Sequence, residues 1–413
     1  MPLFSIPLSG LTASSNALSV ISNNLANLNT VGYKNERVTF RDMFYQNIGT
    51  TGAGNPVQVG AGASVDSISS VFTSGNVETT GVPTDVAIMG EGFFVTQKDG
   101  GLQFTRAGNF GINSSGQLVT QDGRNVMGYP STNGVIDPGL GLVPLELGQG
   151  QVSPPAATTK IQLRTNLDAS AAVGSNYSTP LTVYDSVGLA HVLTFEFTKT
   201  ASNAWDYKVT LPAADTGGSG TPTVLKSGSL AFDGSGNLTS PSGNIAGIAI
   251  NNLIDGASAM NFDWNLADSG GSSLLTQVAS PSTTSTTNQD GYGSGTLQTF
   301  AIIGSDGIIQ GSFSNGQTLA IGQIALGNFP NNQGLLRTGG NYFLPTLASG
   351  AAVIGSPKTA GRGTLSGGAL ELSNVDISQE FTKMILVQRG FQANAKVVTT
   401  FDEITQDTIN LKR

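Results

Sequence analysis

The single histidine, His191, lies in the stretch "LAHVLTFEF", and a general base is the first role an imidazole suggests. A base needs a nucleophile, a metal or a substrate proton beside it. The chain has no cysteine, no H-E-x-x-H pair and no Gly-rich phosphate loop opening a helix. Leu193, Phe195 and Phe197 alternate with Thr194, Glu196 and Thr198, so His191 opens a half-buried strand and reads as a sheet-surface or core-edge residue. "GSDG" and "NQDG" resemble calcium loops but lack the alternating Asp and Asn ligands, and read as turns. Paired carboxylates can hydrolyse a glycosidic bond, yet no spacing here positions such a pair. The expectation is a protein that is not an enzyme, with no catalytic residue, cofactor or metal.

Composition points the same way. Of 413 residues only 11 % are charged, against about 25 % in ordinary soluble domains. Glycines number 55, so turns must be frequent. A net charge of −8 argues against nucleic acid, which needs clustered Lys and Arg. Without cysteine there is no disulfide framework and no thiolate metal site. The start lacks the basic segment and apolar core of a cleaved secretory signal. No run of about 18 apolar residues exists, so membrane insertion is not expected.

The positioning elements are unusual at the two ends. Phe4, Leu11, Leu18 and Leu25 fall seven apart, with Ile21 and Leu28 in the second apolar slot. This predicts a helix with a seam from Leu11 to Leu28, stopped by Gly32. Its other positions, Asn16, Asn23, Asn24 and Asn27 among them, form an uncharged amide face, and no charge precedes Lys34. A second helix carries Ile377, Phe381, Met384, Phe391, Ala395 and Val398 in a stripe, with Asp376 and Gln379 at capping-box spacing. The two helices can pair within one chain. The width of the stripes favours neighbours from other chains as their cover, so the free chain is expected to have unpartnered, disordered ends.

Between the ends the chain is rich in short strands and Gly-containing turns, which predicts a mainly β, nested, multi-domain architecture with terminal α-helices. The expected division is terminal helices at 1–33 and 370–413, a linker region at 34–70, a discontinuous β domain at 71–147 and 286–369, and an inserted outer β domain at 148–285. The segment 146–285 holds 10 acidic and 5 basic residues, so most of the net charge sits in the insert.

Three long motifs carry a resemblance. "ISNNLANLNTVGYK", "AIMGEGFFVTQKDG" with "FTRAGNFGINSSGQLVTQDGRNVMGY", and "LELSNVDISQEFTKMILVQRGFQANAKVVTTFDEI" resemble the bacterial flagellar rod and hook axial protein family. "VYDSVGLAHVL", "NAWDY" and the stretch from "NQDGYGSG" to "IALGNF" resemble the hook members. The resemblance implies terminal helices from many subunits packed as an inner tube, with β domains outside. It implies a helical homopolymer that transmits motor torque as a flexible universal joint and lets exported subunits pass. It implies as partners the chain itself, the rod, hook cap and hook–filament junction proteins, and the type III export apparatus, at an extracellular position in the flagellum. The assembly residues would be Leu11, Leu18, Ile21, Leu25, Leu28, Ile377, Phe381, Met384, Phe391 and Val398. "FRDMF" resembles an export-gate motif through Phe40 and Phe44, with ordinary packing as the other reading. Arg106 of "TRAGNF" reads as structural, with pairing across subunits as the alternative. Two further readings stay open: a distal rod protein, which would lack the large insert, and a secreted β-rich adhesin, which would not explain the two heptad ends.

Overall fold

A computed structural model describes residues 5–44, 46–148 and 150–411; Phe4 lies outside them. The chain divides into two compact units, residues 1–148, 300–311 and 320–413 in the first and 149–299 with 312–319 in the second. The return from the insert therefore falls at 300, later than the expected boundary between 285 and 286.

The first unit begins with α1 (Ser5–Ala26) and ends with α2 (Ile377–Asn410). Pro7 is accommodated in the first turn of α1, where its missing N–H has no intrahelical acceptor to lose. The helix stops at Ala26, short of Leu28, and the following turn reaches Gly32 at φ +68°. A Cβ there would lie 2.6 Å from backbone atoms of Arg106 and Ala107, so only glycine fits. Asp376 caps α2 by accepting from the Gln379 N–H at 3.0 Å. The Gln379 side chain reaches back to the Asp376 carboxylate rather than to its backbone.

Residues 36–70, expected as a linker, form paired strands. β1 (Glu36–Asp42) pairs antiparallel with β4 (Ala63–Ser70), and between them β2 (Gln46–Thr50) pairs with β3 (Pro56–Val59). Glycines of this segment supply turns and a register shift. β5 (Val77–Thr79) and β6 (Val86–Met89) take Ala369–Glu371 and Thr364–Gly367 as partners, which ties the two chain ends to one body.

The body's central strand is β7 (Phe93–Lys98), paired with β8 (Gly101–Thr105), Asn125–Thr132 and Leu326–Asn328. Its first four residues are all buried, because both faces of the sheet are covered. Phe94 joins Val86, Phe110, Val126 and Ile324 in one core, and Phe93 and Val95 join Phe104, Phe329 and Phe343 in another. Phe104 meets Phe329 edge-on at 4.8 Å.

The second unit is a sandwich. One sheet centres on Lys160–Asp168, with parallel partners Met260–Asn265 and Leu275–Val278 and the antiparallel strand Thr283–Gln289. The other is an antiparallel run from Asn176–Tyr184 through Ala190–Ala201, Ala204–Leu211 and Thr223–Phe232 to Leu238–Ser240. The predicted alternation in Ala190–Ala201 holds, with Leu193, Phe195 and Phe197 inward. Trp264 packs against Phe195 at 5.0 Å and Tyr207 at 5.4 Å, joining the sheets.

Candidate assembly interface

α1 and α2 pack against each other within the single chain, and α1 also lies on β1 and β4. The two terminal helices are partnered with each other, where the expectation left them without a partner inside the chain. The residues that α1 buries are not its leucines. Pro7, Ala13, Ala17, Val20, Ile21 and Asn24 turn inward, while Leu11, Leu18, Leu25 and Leu28 are half-buried. Small side chains bring the two axes close, so the leucines occupy the flank of the contact rather than its centre.

α2 behaves likewise. Met384, Val387, Asn394, Ala395, Val398 and Phe401 are half-buried at three- and four-residue spacing. Ile377 and Phe381 stay exposed, and Phe391 keeps 38 % of its surface in solvent. Ile385 and Leu386, outside the predicted stripe, are exposed too; the unbroken run "MIL" is their signal in the sequence. The predicted stripe is thus split between a face spent on α1 and a face left apolar and wet.

Phe40 and Phe44 are both exposed, Phe44 at 92 %, as are Met43 just after β1, Ile48 in β2 and Ile68 in β4. Neither phenylalanine of "FRDMF" is fixed in a core.

Asn24 does not belong to the open amide face. It is fully buried and makes four contacts: its Nδ2 donates to the Glu36 carbonyl at 2.8 Å and to Glu380 Oε2 at 3.2 Å. Its Oδ1 accepts from the Tyr33 hydroxyl at 3.2 Å and the Glu36 N–H at 2.9 Å. A buried amide with every polar group used holds α1, the turn after it and α2 in one register. Asn16 and Asn23 remain exposed.

Behind the helices lies a buried ion cluster. Lys34 Nζ donates to Glu371 Oε1 at 2.6 Å, and Arg106 Nη1 reaches Glu371 Oε2 at 3.2 Å. Lys34 also donates to the Thr73 carbonyl at 2.8 Å, Arg106 to the Gly90 carbonyl at 2.7 Å, and the Gly75 N–H to Glu371 Oε1 at 2.8 Å. Burial pushes the pKa of both cations down, and the Glu371 carboxylate opposes it. Arg106 is therefore paired inside the chain, where sequence reading had left a partner across subunits open. Each member comes from a different motif: Lys34 from "VGYK", Arg106 from "TRAGNF", Glu371 from "LELSN".

Four family models match. The flagella basal body rod protein model covers residues 6–34, and the flagellar hook protein FlgE/F/G D1 domain covers 87–166. The flagellar basal body protein FlaE D2 domain covers 153–292, and the flagellar basal body rod FlgEFG protein C-terminal model covers 366–411. Over nearly the whole length of both chains, the protein is similar to flagellar hook proteins FlgE. That of Treponema pallidum is 35 % identical over 98 % of this chain and 98 % of its own. That of Salmonella typhimurium is 34 % identical over 99 % of this chain and 100 % of its own. The chain belongs to the flagellar hook protein family. A crystal structure of Helicobacter pylori flagellar hook protein FlgE2 aligns at TM-score 0.46 and 16 % identity, over 70 % of this chain and 98 % of that one. Membership of the hook family rests on the full-length relatives. Within it, three of the four matched segments each supply one member of the Lys34–Arg106–Glu371 cluster.

Proposed function

We propose that the chain is a structural subunit of the flagellar hook that assembles head-to-tail with copies of itself into a hollow helical tube. One observation supports this most: α1 and α2 already pack on each other, yet Phe381, Ile385 and Leu386 stay exposed on α2, with Ile6 and Leu8 exposed on α1. A large apolar surface left over after intrachain pairing calls for neighbours. A contact that joins unlike faces and does not close a ring extends as a helix. The assembly residues are Leu11, Leu18, Leu25, Leu28, Ile377, Phe381, Met384, Phe391 and Val398, joined by Ile385 and Leu386; Ile21 acts inside the chain.

The full-length hook relatives and the matched D2 domain favour the hook over a distal rod protein or an adhesin. The uncharged outer face of α1, with Asn16 and Asn23, suits a channel through which unfolded chains slide. The tube transmits torque as a flexible joint and lies outside the cell, reached by the flagellar export apparatus. Phe40 and Phe44, both exposed, are the residues such an apparatus would read. The rod, hook cap and hook–filament junction proteins are its further partners, and it has no catalytic role. Electron microscopy of the purified protein under precipitating salt tests the reading. Tubes of uniform diameter are expected; a protein that stays monomeric or precipitates without order would overturn it.

A further inference from the structure

The second unit contains a cluster that the assembly reading leaves unused. His191 is 4 % exposed at the start of the strand Ala190–Ala201, and Asp185 is fully buried in the turn before it. Asp185 Oδ1 accepts from the Val187 and Leu189 N–H groups, both at 2.9 Å, which fixes the carboxylate and aims Oδ2 at His191 Nε2, 3.2 Å away. Asp255, in the loop after Ile245–Ile250, is held through Oδ1 by the Ala257 N–H at 2.9 Å. Its Oδ2 is buried, has no hydrogen-bond partner and lies 3.5 Å from the same Nε2. On the other side of the ring, Asp215 Oδ2 sits 3.0 Å from Nδ1.

Two facts about this arrangement favour a bound cation. Three carboxylates surround one imidazole, and among the described residues no Lys or Arg forms an ion pair with any of them. Nε2 carries at most one proton, yet two carboxylate oxygens converge on it. A proton there can bond Asp185 at 3.2 Å, but it leaves Asp255 Oδ2 unsatisfied. A metal ion in place of that proton satisfies both oxygens at once. The donor spacing fits: bonds of about 2.0–2.1 Å around a tetrahedral ion put its donors about 3.3 Å apart. Nε2 lies 3.2 and 3.5 Å from the two oxygens, and all three donors fall within 4.8 Å of one another. Asp215 on Nδ1 completes the pattern, since a carboxylate accepting the second ring N–H turns the Nε2 lone pair toward a metal.

We propose that Asp185, His191 and Asp255 form a binding site for a divalent transition-metal ion of the Zn²⁺ class, oriented by Asp215. One imidazole and two monodentate carboxylates suit such an ion better than Ca²⁺ or Mg²⁺, which take six or more oxygens or keep their waters. Asp255 retains 15 % exposure and marks the entry side, where water fills the fourth position. The ion clamps the turn at 185–189 to the loop at 251–259, in a chain without cysteine to staple them. The role is structural.

The test uses the untagged full-length monomer, stripped with chelator, dialysed and titrated with ZnCl₂ in a calorimeter and with CoCl₂ in a visible spectrometer. One Zn²⁺ per chain with micromolar or tighter affinity is expected, a raised melting temperature, and the intense visible bands of four-coordinate Co²⁺. Asp255→Asn should weaken uptake at least tenfold while leaving the protein folded, since it removes a charge from a partly exposed loop. Asp233→Asn, on an exposed turn of the same unit, should change nothing. Absence of stoichiometric uptake, or equal uptake by Asp255→Asn, overturns the proposal. So does an NMR spectrum in which both His191 ring N–H protons persist with Zn²⁺ in excess.

Discussion

Gly10 of α1 stands so close to Asn394 of α2 that a Cβ at position 10 would lie 2.7 Å from the Asn394 Nδ2. One turn further, Gly390 of α2 faces Ser14 of α1, with a Cβ at 390 coming within 3.9 Å of its hydroxyl. The helices meet through a glycine on each side. Gly10→Ala gains roughly 1 kcal/mol of helix propensity and displaces an amide that donates to the Gly390 carbonyl at 3.0 Å. The two effects should nearly cancel. Gly10→Leu should separate the helices, and Asn394→Ala should convert Gly10→Ala from neutral to stabilising. Hydrogen exchange of α1 amides reads this; equal protection in Gly10→Leu and the parent would refute the close contact.

Glu371→Gln keeps the shape of the buried cluster and removes the charge that Lys34 and Arg106 share. Breaking a buried pair in this way costs about 3–5 kcal/mol, because the partners stay buried and uncompensated. Urea unfolding followed through the first unit should lose that much. Lys34→Met should cost less, since Arg106 still pairs with Glu371. A loss below about 1 kcal/mol for Glu371→Gln would mean the cluster is solvated in solution.

Phe391→Asp and Phe381→Asp should leave the isolated monomer folded, because both side chains already face solvent there. If neighbours in a tube cover the same positions, losing a buried Phe costs about 3–5 kcal/mol before the desolvated carboxylate is counted. Polymerisation should fail and cells carrying the variants should not swim, while Lys396→Ala, exposed on the same helix, should assemble. Monomer unfolding by Phe391→Asp would place that residue in an intrachain core.

A pH dependence follows from Asp122, whose carboxylate is 44 % exposed. Burial opposes its charge, but hydrogen bonds from Thr120, Tyr342 and Arg124 outweigh this and hold it at about 2 against an ordinary 3.8. Folded pKa lies below unfolded, so its contribution is complete above about pH 4 and is lost as the pH falls through 2. Tyr342, bonded to Asp122 and lying under Arg124 at 4.0 Å, is pushed up to about 12 by burial and then by Asp122. Its contribution is complete below pH 10 and lost as the pH rises through 12. Tyr342→Phe should return the Asp122 pKa toward 3.8 and flatten both limbs of the stability profile. An unchanged acid limb in that variant would count against the shared bond.

The helices, the β body and the strand alternation of Ala190–Ala201 were legible because each rests on a periodicity. The partition of the helix surfaces was not. Leucines seven apart mark an apolar stripe, but nothing local says that Ala13 and Ala17 take the intrachain contact and leave Leu11 and Leu18 at its flank. That outcome depends on how near two backbones approach, which Gly10 and Gly390 set across 380 positions of sequence. Asn24 was misplaced for the same reason: an amide in a row of amides gives no sign that Glu36 and Glu380 converge on it. The His191 cluster was invisible because Asp215 and Asp255 arrive from separate turns.

Lys34 and Glu371 are 337 positions apart, and Arg106 waits on the same carboxylate. Contacts this distant in sequence form late, after the loops between them have closed. A chain emerging from its N-terminus presents both cations long before Glu371, the carboxylate that pairs them in the fold. The junction is therefore a latch rather than a nucleus: it closes only when the C-terminal segment has arrived, at the point where both helices are anchored.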